Sequence, residues 1–454
     1  MNDLRSRAKF FYNALDMDKP VGHGLDKLDV AALPQSLYIE QIHGNGQNDP
    51  VQQLADQIDF AASAGSYLFT GNRGTGKTTE LLRLAKILDS YRCEVFYADL
   101  SEYLNLTQRI EVSDFLIAVL GALSEKVHGR FGEKVAGRGY FERIRDFLYS
   151  EVSFTEVKFG AGGVDLKAAL SQNPTFKETL QQKTRGHIET LVKQAREFVL
   201  EVVDQVRRAC NDPDRKVVLI IDSVERLRGV GDAKDVHEVF KSAETLFSAH
   251  AEKLRFTGLK IVYTVPPYLQ ALAGSLGSYY AGGRVYSLPS VHIYEGCPVD
   301  GAAPKVDNND GPQKMLDVVE ARYPDWRDFF NEIQLRDLAQ AAGGDLRDFF
   351  RMLRLAITRA PGLDQLPLND TVLADAKAAV RNDMLPIAAD DLDWLERVAL
   401  THKAALESLD NLPDFARLQQ SKYLLHYRNG EDWWDIHPLL RDELRAHVNK
   451  RKPA

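Results

Sequence analysis

The sequence predicts an α/β fold: a parallel sheet flanked by helices, a wholly helical unit after it, and a small winged-helix-like unit at the C-terminal end. Three observations predict it. Short apolar runs alternate with helical patterns between about residues 67 and 293, the signature of strands joined in parallel by crossover helices. The first run leads directly into a glycine-rich loop, GNRGTGKT, and then an amphipathic helix. Beyond a linker at 295–313, dense in Gly, Pro, Asn and Asp, the pattern turns wholly helical and later ends in a hairpin signal.

At 454 residues the chain exceeds one compact core. Hydrophobic content of 44% and charged content of 27% are ordinary for a globular protein. A formal net charge of -8 argues against a general nucleic-acid coat, which needs a basic face. Cys93, Cys210 and Cys297 lie far apart without metal-ligand spacing and read as small apolar residues. The N-terminal stretch lacks the apolar centre of a signal peptide, and VVLII at 217–221 is too short to span a bilayer. The expectation is a reducing, cytoplasmic setting with no membrane partner.

Residues 1–60 read as an N-terminal segment whose last part is a helix from Pro50, with Asp49 as its cap. The α/β domain is expected over 61–300. Its strands are YLFT (67–70), EVFYADL (94–100), KVVLIID (216–222), KIVYTV (260–265) and RVYSLPSVHI (284–293). Helices are expected near 112–128, 233–252 and 268–280. An insertion at about 130–215 interrupts the alternation, with a β-hairpin around GAGG and one long amphipathic helix over 176–209. It reads as a flank packed on the domain or as a surface for a partner or a neighbouring subunit. The lid is expected over 311–385. The tail, 386–454, offers two helices, then strands either side of Asn429-Gly430, a strong hairpin signal.

The run Gly71-Asn72-Arg73-Gly74-Thr75-Gly76-Lys77-Thr78 satisfies G-x-x-x-x-G-K-[ST] in the right context, with Thr79 adjoining. Its glycines let backbone N–H groups turn inward around a phosphate, and the helix N-terminus adds its positive dipole end. Lys77 suits the β- and γ-oxygens, and Thr78 a Mg²⁺ position. A cation also needs an acid at the end of a neighbouring buried strand, and five apolar residues ending in Asp222 supply it. Glu225, three residues further, is the candidate general base.

With these motifs the chain resembles the AAA+ ATPases, and more loosely the STAND signalling ATPases, over roughly 35–385. The resemblance implies ATP with Mg²⁺ as the ligands. It implies that YIEQIHGNGQNDPVQQLADQI cups the adenine, and that Thr264 senses the γ-phosphate. It further implies that Arg347, in GGDLR, touches the nucleotide from the lid, and that Arg284 is an arginine finger for an adjacent subunit, with Arg226 and Arg228 as competitors. One departure stands out: Ser223 follows Asp222 where AAA+ enzymes usually carry Glu. The acid at Glu225 is closer to the STAND and origin-recognition pattern, and favours a slow switch over a motor.

The resemblance therefore implies a regulatory ATPase, a homo-oligomeric switch acting on an effector or partner protein, of a build used in bacterial conflict and antiphage defence. Two alternatives stand beside it: a DNA-binding, origin-recognition-like or transposition-type ATPase, and a nucleotide-binding scaffold with little hydrolysis. The DNA reading has thin support, because the candidate recognition helix offers Arg417 and Lys422 against Asp414, and the wing adds Arg428 but also Glu431, Asp432 and Asp435.

Overall fold

The computed structural model describes residues 2–16, 37–44, 48–62, 65–132, 139–152, 165–229, 233–297, 305–360 and 366–451. Helix α1 (Asn2–Ala14) comes first, and α2 (Pro50–Phe60) starts where Asp49 accepts hydrogen bonds from the Val51 and Gln52 amides. Strand β1 (Gly65–Gly71) runs through the glycine-rich loop into α3 (Lys77–Ser90), and β2 (Glu94–Asp99) is followed by α4 (Val112–Phe131). The insertion supplies α5 (Tyr140–Ser150), α6 (Leu166–Gln172), α7 (Pro174–Thr184) and α8 (Ile188–Ala209). Then come β3 (Val217–Asp222), α9 (Ala233–Phe247), β4 (Leu259–Thr264) and β5 (Val285–Leu288).

Among the described residues these five strands form one parallel sheet in the order β2-β3-β4-β1-β5. β3 is buried along its whole length, as expected of a parallel strand covered on both faces. One face packs on α2 and α3 through Leu54, Ile58, Leu81, Leu84 and Leu88. The other packs on α4 and α8, and its core continues into the tail through Trp394, Phe415 and Trp434. This is the α/β P-loop fold with a helical lid that the sequence predicts. The strand order puts β1 between β4 and the edge strand β5, so the glycine-rich loop leaves the sheet one strand in from that edge.

The lid contains α10 (Asp310–Arg322), α11 (Glu332–Ala341), α12 (Leu346–Ile357) and α13 (Asp370–Asn382). Its core also takes in α1, an element absent from the sequence reading: Phe11 stacks on Tyr323 with ring centroids 4.2 Å apart. In the tail, α14 (Ala389–Thr401) and α15 (Leu412–Gln420) precede the antiparallel pair β6 (Leu424–Asn429) and β7 (Glu431–Ile436), then α16 (Arg441–Arg451). Gly430, at φ 102°, makes the hairpin turn.

Three expectations change in detail. The single helix over 176–209 is two, parted by a 3₁₀ turn at Arg185–His187 that contains Gly186. The helix near 268–280 is instead a chain of short turns, Pro267–Leu272, Ala273–Leu276 and Gly277–Tyr279, consistent with its two glycines. β5 ends at Leu288, because Pro289 has no N–H for the ladder. The hairpin expected around GAGG lies outside the described residues. Among the described residues no helix is long and apolar enough to cross a membrane.

Candidate functional site

The loop between β1 and α3 owes its shape to its glycines. Gly74 sits at φ 100°, and a Cβ there would lie 2.6 Å from both carboxylate oxygens of Asp345, the cap of lid helix α12. No side chain fits between loop and lid. The Lys77 ammonium turns back into this loop, donating to the carbonyls of Gly71 at 2.9 Å and Asn72 at 3.0 Å. It also lies 3.6 Å from Glu225 Oε1, with both side chains almost fully buried. Thr75 is buried and donates to the Asn72 carbonyl at 2.9 Å. Arg73 is exposed, while Gly76 at φ 84° starts α3 and Thr79 is half-buried in its first turn.

Asp222 ends β3 beside that loop. Thr78 Oγ1 donates to Asp222 Oδ2 at 2.9 Å, and Tyr97 OH donates to the same oxygen at 2.6 Å. The Ser223 amide donates to Oδ1 at 2.7 Å, and Ser223 itself adopts the left-handed conformation, φ 73°. Burial pushes the Asp222 carboxyl up to about 6, with the nearby Glu225 charge adding to it, while the bonds from Tyr97, Ser223 and Thr78 pull the other way. Thr264, at the end of β4, is fully buried and its Oγ1 accepts from the Val224 amide at 3.1 Å. It thus braces the turn that carries Glu225.

Several buried polar atoms around this loop have no protein partner: both amide atoms of Asn72, Ser223 Oγ and Glu225 Oε2. Orphaned buried polar atoms beside a glycine-rich loop fit a bound polar ligand. Among the described residues no group of three or more His, Cys, Asp or Glu side chains could hold a metal by itself. Thr78 with Asp222 fits the sparse donor set of Mg²⁺, which takes one or two protein groups and completes its shell with phosphates and waters.

Beside α3 a small pocket is lined by Tyr38, Ile42, His43, Asp49, Glu80 and Arg83, among others. Tyr38 OH donates to Glu80 at 2.8 Å, and Arg83 bridges Glu80 at 2.8 Å and Asp49 at 2.6 Å. Burial pushes His43 down to about 3, with His292 adding to it, so its ring is neutral; its Nδ1 has no hydrogen-bond partner.

Two further expected residues are arginines. Arg347, in the first turn of α12, is half-buried and makes no side-chain hydrogen bond or ion pair among the described residues. Arg284 lies at the opposite end of β5 from the phosphate loop, since Gly71 pairs with Leu288 and Leu68 with Val285. There it donates to Gln53 Oε1 at 2.8 Å and lies over the Tyr286 ring. Of its competitors, Arg226 is 3.9 Å from Asp99 and Arg228 is exposed.

A second charged cluster was not legible in the sequence. Lys422, between α15 and β6, lies 2.9 Å from Asp345 Oδ1 and 3.0 Å from Asp348 Oδ2, and His437 Nε2 is 3.5 Å from Asp348. Tail, lid and phosphate loop therefore meet at Asp345. Burial holds Asp345 above the usual carboxylate range, while at Asp348 the effect of burial is outweighed by His437 and Lys422, which hold it well below. The other expected tail cation, Arg417, is clamped by both oxygens of Asp391 at 2.6 Å. Arg428 is 3.7 Å from Asp432.

No family model matches this chain, and neither does any curated protein. Solved structures do resemble it. An ORC2 protein of Aeropyrum pernix, determined as ADPNP–ADP complexes, is 11% identical with a TM-score of 0.39, covering 88% of this chain and 92% of its own. A Walker-type ATPase of Pyrococcus abyssi is 13% identical with a TM-score of 0.37, covering 88% and 95%. RuvB of Thermotoga maritima is 12% identical with a TM-score of 0.36, covering 90% and 96%. Such scores lend this chain no activity; its own side chains carry the functional reading.

Proposed function

We propose that this chain binds ATP with Mg²⁺ and hydrolyses it slowly, as a regulatory ATPase working as an oligomeric nucleotide switch on an effector protein. The observation that carries the reading is the meeting of Thr78 and Asp222, 144 residues apart, at 2.9 Å, beside a buried Lys77. In this reading the phosphates replace the Gly71 and Asn72 carbonyls as partners of Lys77, and the loop amides of Gly71 to Thr78 wrap them. Thr78 and Asp222 would hold the Mg²⁺, which neutralises charge on the phosphate oxygens when bound. Glu225, freed from Lys77, takes a proton from the attacking water as its oxygen bonds to the γ-phosphorus and ADP leaves. Thr264 keeps that glutamate's turn in place. The pocket beside Tyr38 and His43 takes the base, Arg347 meets the phosphates from the lid, and Arg284 serves a neighbouring subunit. The place of Ser223 after Asp222 supports slow turnover, suited to a conflict-system regulator.

The DNA reading loses ground, because Arg417 and Lys422 are both held by carboxylates of the same chain. Isothermal titration with ATP–Mg²⁺ tests the proposal. Lys77→Ala should abolish binding without unfolding the protein, and wild-type affinity in that variant would overturn the site. Glu225→Gln should bind normally and lose about a hundredfold or more in kcat.

A further inference from the structure

Tyr97 has no part in the chemistry outlined above, yet its hydroxyl lies at the centre of the acidic end of the site. On β2, Val95 and Tyr97 face the α3 side of the sheet while Phe96 and Ala98 face the other. β2 pairs with β3 so that Tyr97 is level with Ile220 and Asp99 with Asp222. Tyr97 thus reaches forward and sideways to Asp222 Oδ2, making at 2.6 Å the shortest of that carboxylate's three hydrogen bonds, against 2.7 Å from the Ser223 amide and 2.9 Å from Thr78. Burial and the Asp222 charge hold the phenol far above its usual range, so it remains a donor.

The three donors are not equivalent. Thr78 Oγ1 would also offer a lone pair to a cation, whereas Tyr97 and the Ser223 amide serve Asp222, one on each carboxylate oxygen. A short bond from a neutral phenol to an ionised carboxylate is among the stronger hydrogen bonds. Partners of this outer kind commonly cost 10- to 100-fold in metal affinity when removed.

We propose that Tyr97 is a positioning residue for the divalent cation, its hydroxyl fixing the Asp222 carboxylate in the orientation that receives Mg²⁺. The proposal rests on the nucleotide reading above. Tyr97→Phe keeps the ring and removes only the donor. Mn²⁺, read by the paramagnetic resonance of the free ion, is titrated into the full-length protein with ADP, and ADP affinity is measured separately in EDTA. The expected result is an Mn²⁺ affinity weaker by about tenfold or more, with ADP affinity in EDTA unchanged. Phe96→Leu, on the other face of the same strand, should leave the Mn²⁺ affinity at the wild-type value. An unchanged Mn²⁺ affinity in Tyr97→Phe overturns the inference, as does an equal loss of ADP affinity in EDTA, which would make Tyr97 a support of the loop alone. If the wild-type protein binds no ADP under either condition, the nucleotide reading fails and this inference falls with it.

Discussion

At Asp222 the fold opposes the charge that a cation would need. The carboxyl is fully buried and is pushed up to about 6, whereas an unfolded Asp titrates near 3.9. The folded state therefore holds this proton more tightly. The stability it contributes is complete below about pH 4 and is lost as pH rises through about 6. Asp222→Asn cannot ionise, so it isolates this contribution. In thermal melts of ligand-free protein, wild type should lose about 1–3 kcal/mol relative to Asp222→Asn between about pH 4 and pH 7.5. Parallel responses of the two proteins would show that folding does not tighten the hold on the Asp222 proton. A bound cation should cancel the loss, because it favours the carboxylate.

Among the elements, the start of α12 is held from several sides. Its cap, Asp345, touches the phosphate loop at Gly74, its preceding Gly344 accepts a backbone bond from the Val291 amide, and Tyr427 of the hairpin donates to the Gly343 carbonyl at 2.7 Å. Lys422 reaches both carboxylates of that helix start, at 13% side-chain exposure, and His437 adds to it at Asp348. Lys422→Met would leave two like charges buried together, and breaking such a pair commonly costs about 3–5 kcal/mol. We expect a lower thermal midpoint and, because lid and loop part more easily, release of a fluorescent ADP analogue faster by about tenfold or more. Release at the wild-type rate would show that Lys422 does not hold the lid on the loop.

For the whole molecule the question is whether it works alone. Arg284 is held by Gln53 and Tyr286 within its own chain, so service to a neighbour requires Gln53 to release it. A finger is worth about 10³-fold or more in kcat, far beyond a surface charge. Arg284→Ala and Lys77→Ala should each be inactive, while a mixture should recover part of the activity. In mixed assemblies the intact phosphate loop of one variant meets the intact arginine of the other. No recovery at any ratio, with both variants folded and co-assembled, would reject the finger.

What the sequence determined by itself is what local order encodes. The glycine-rich loop, the strand ending in Asp222, the alternation of strands and helices, and the Asn429-Gly430 turn each lie within a few consecutive residues. Backbone sterics and side-chain periodicity act at that range. Tertiary structure decided which distant groups share an environment. Tyr97 meets Asp222 across 125 residues and Lys422 meets Asp345 across 77, while α1 leaves the N-terminal segment for the lid's core. No periodicity announces such pairs, because a polar residue at a strand end or after a helix looks like any solvated one. They exist because closing the sheet, lid and tail on one another removes those groups from water, and a buried charge or hydroxyl must then find a partner.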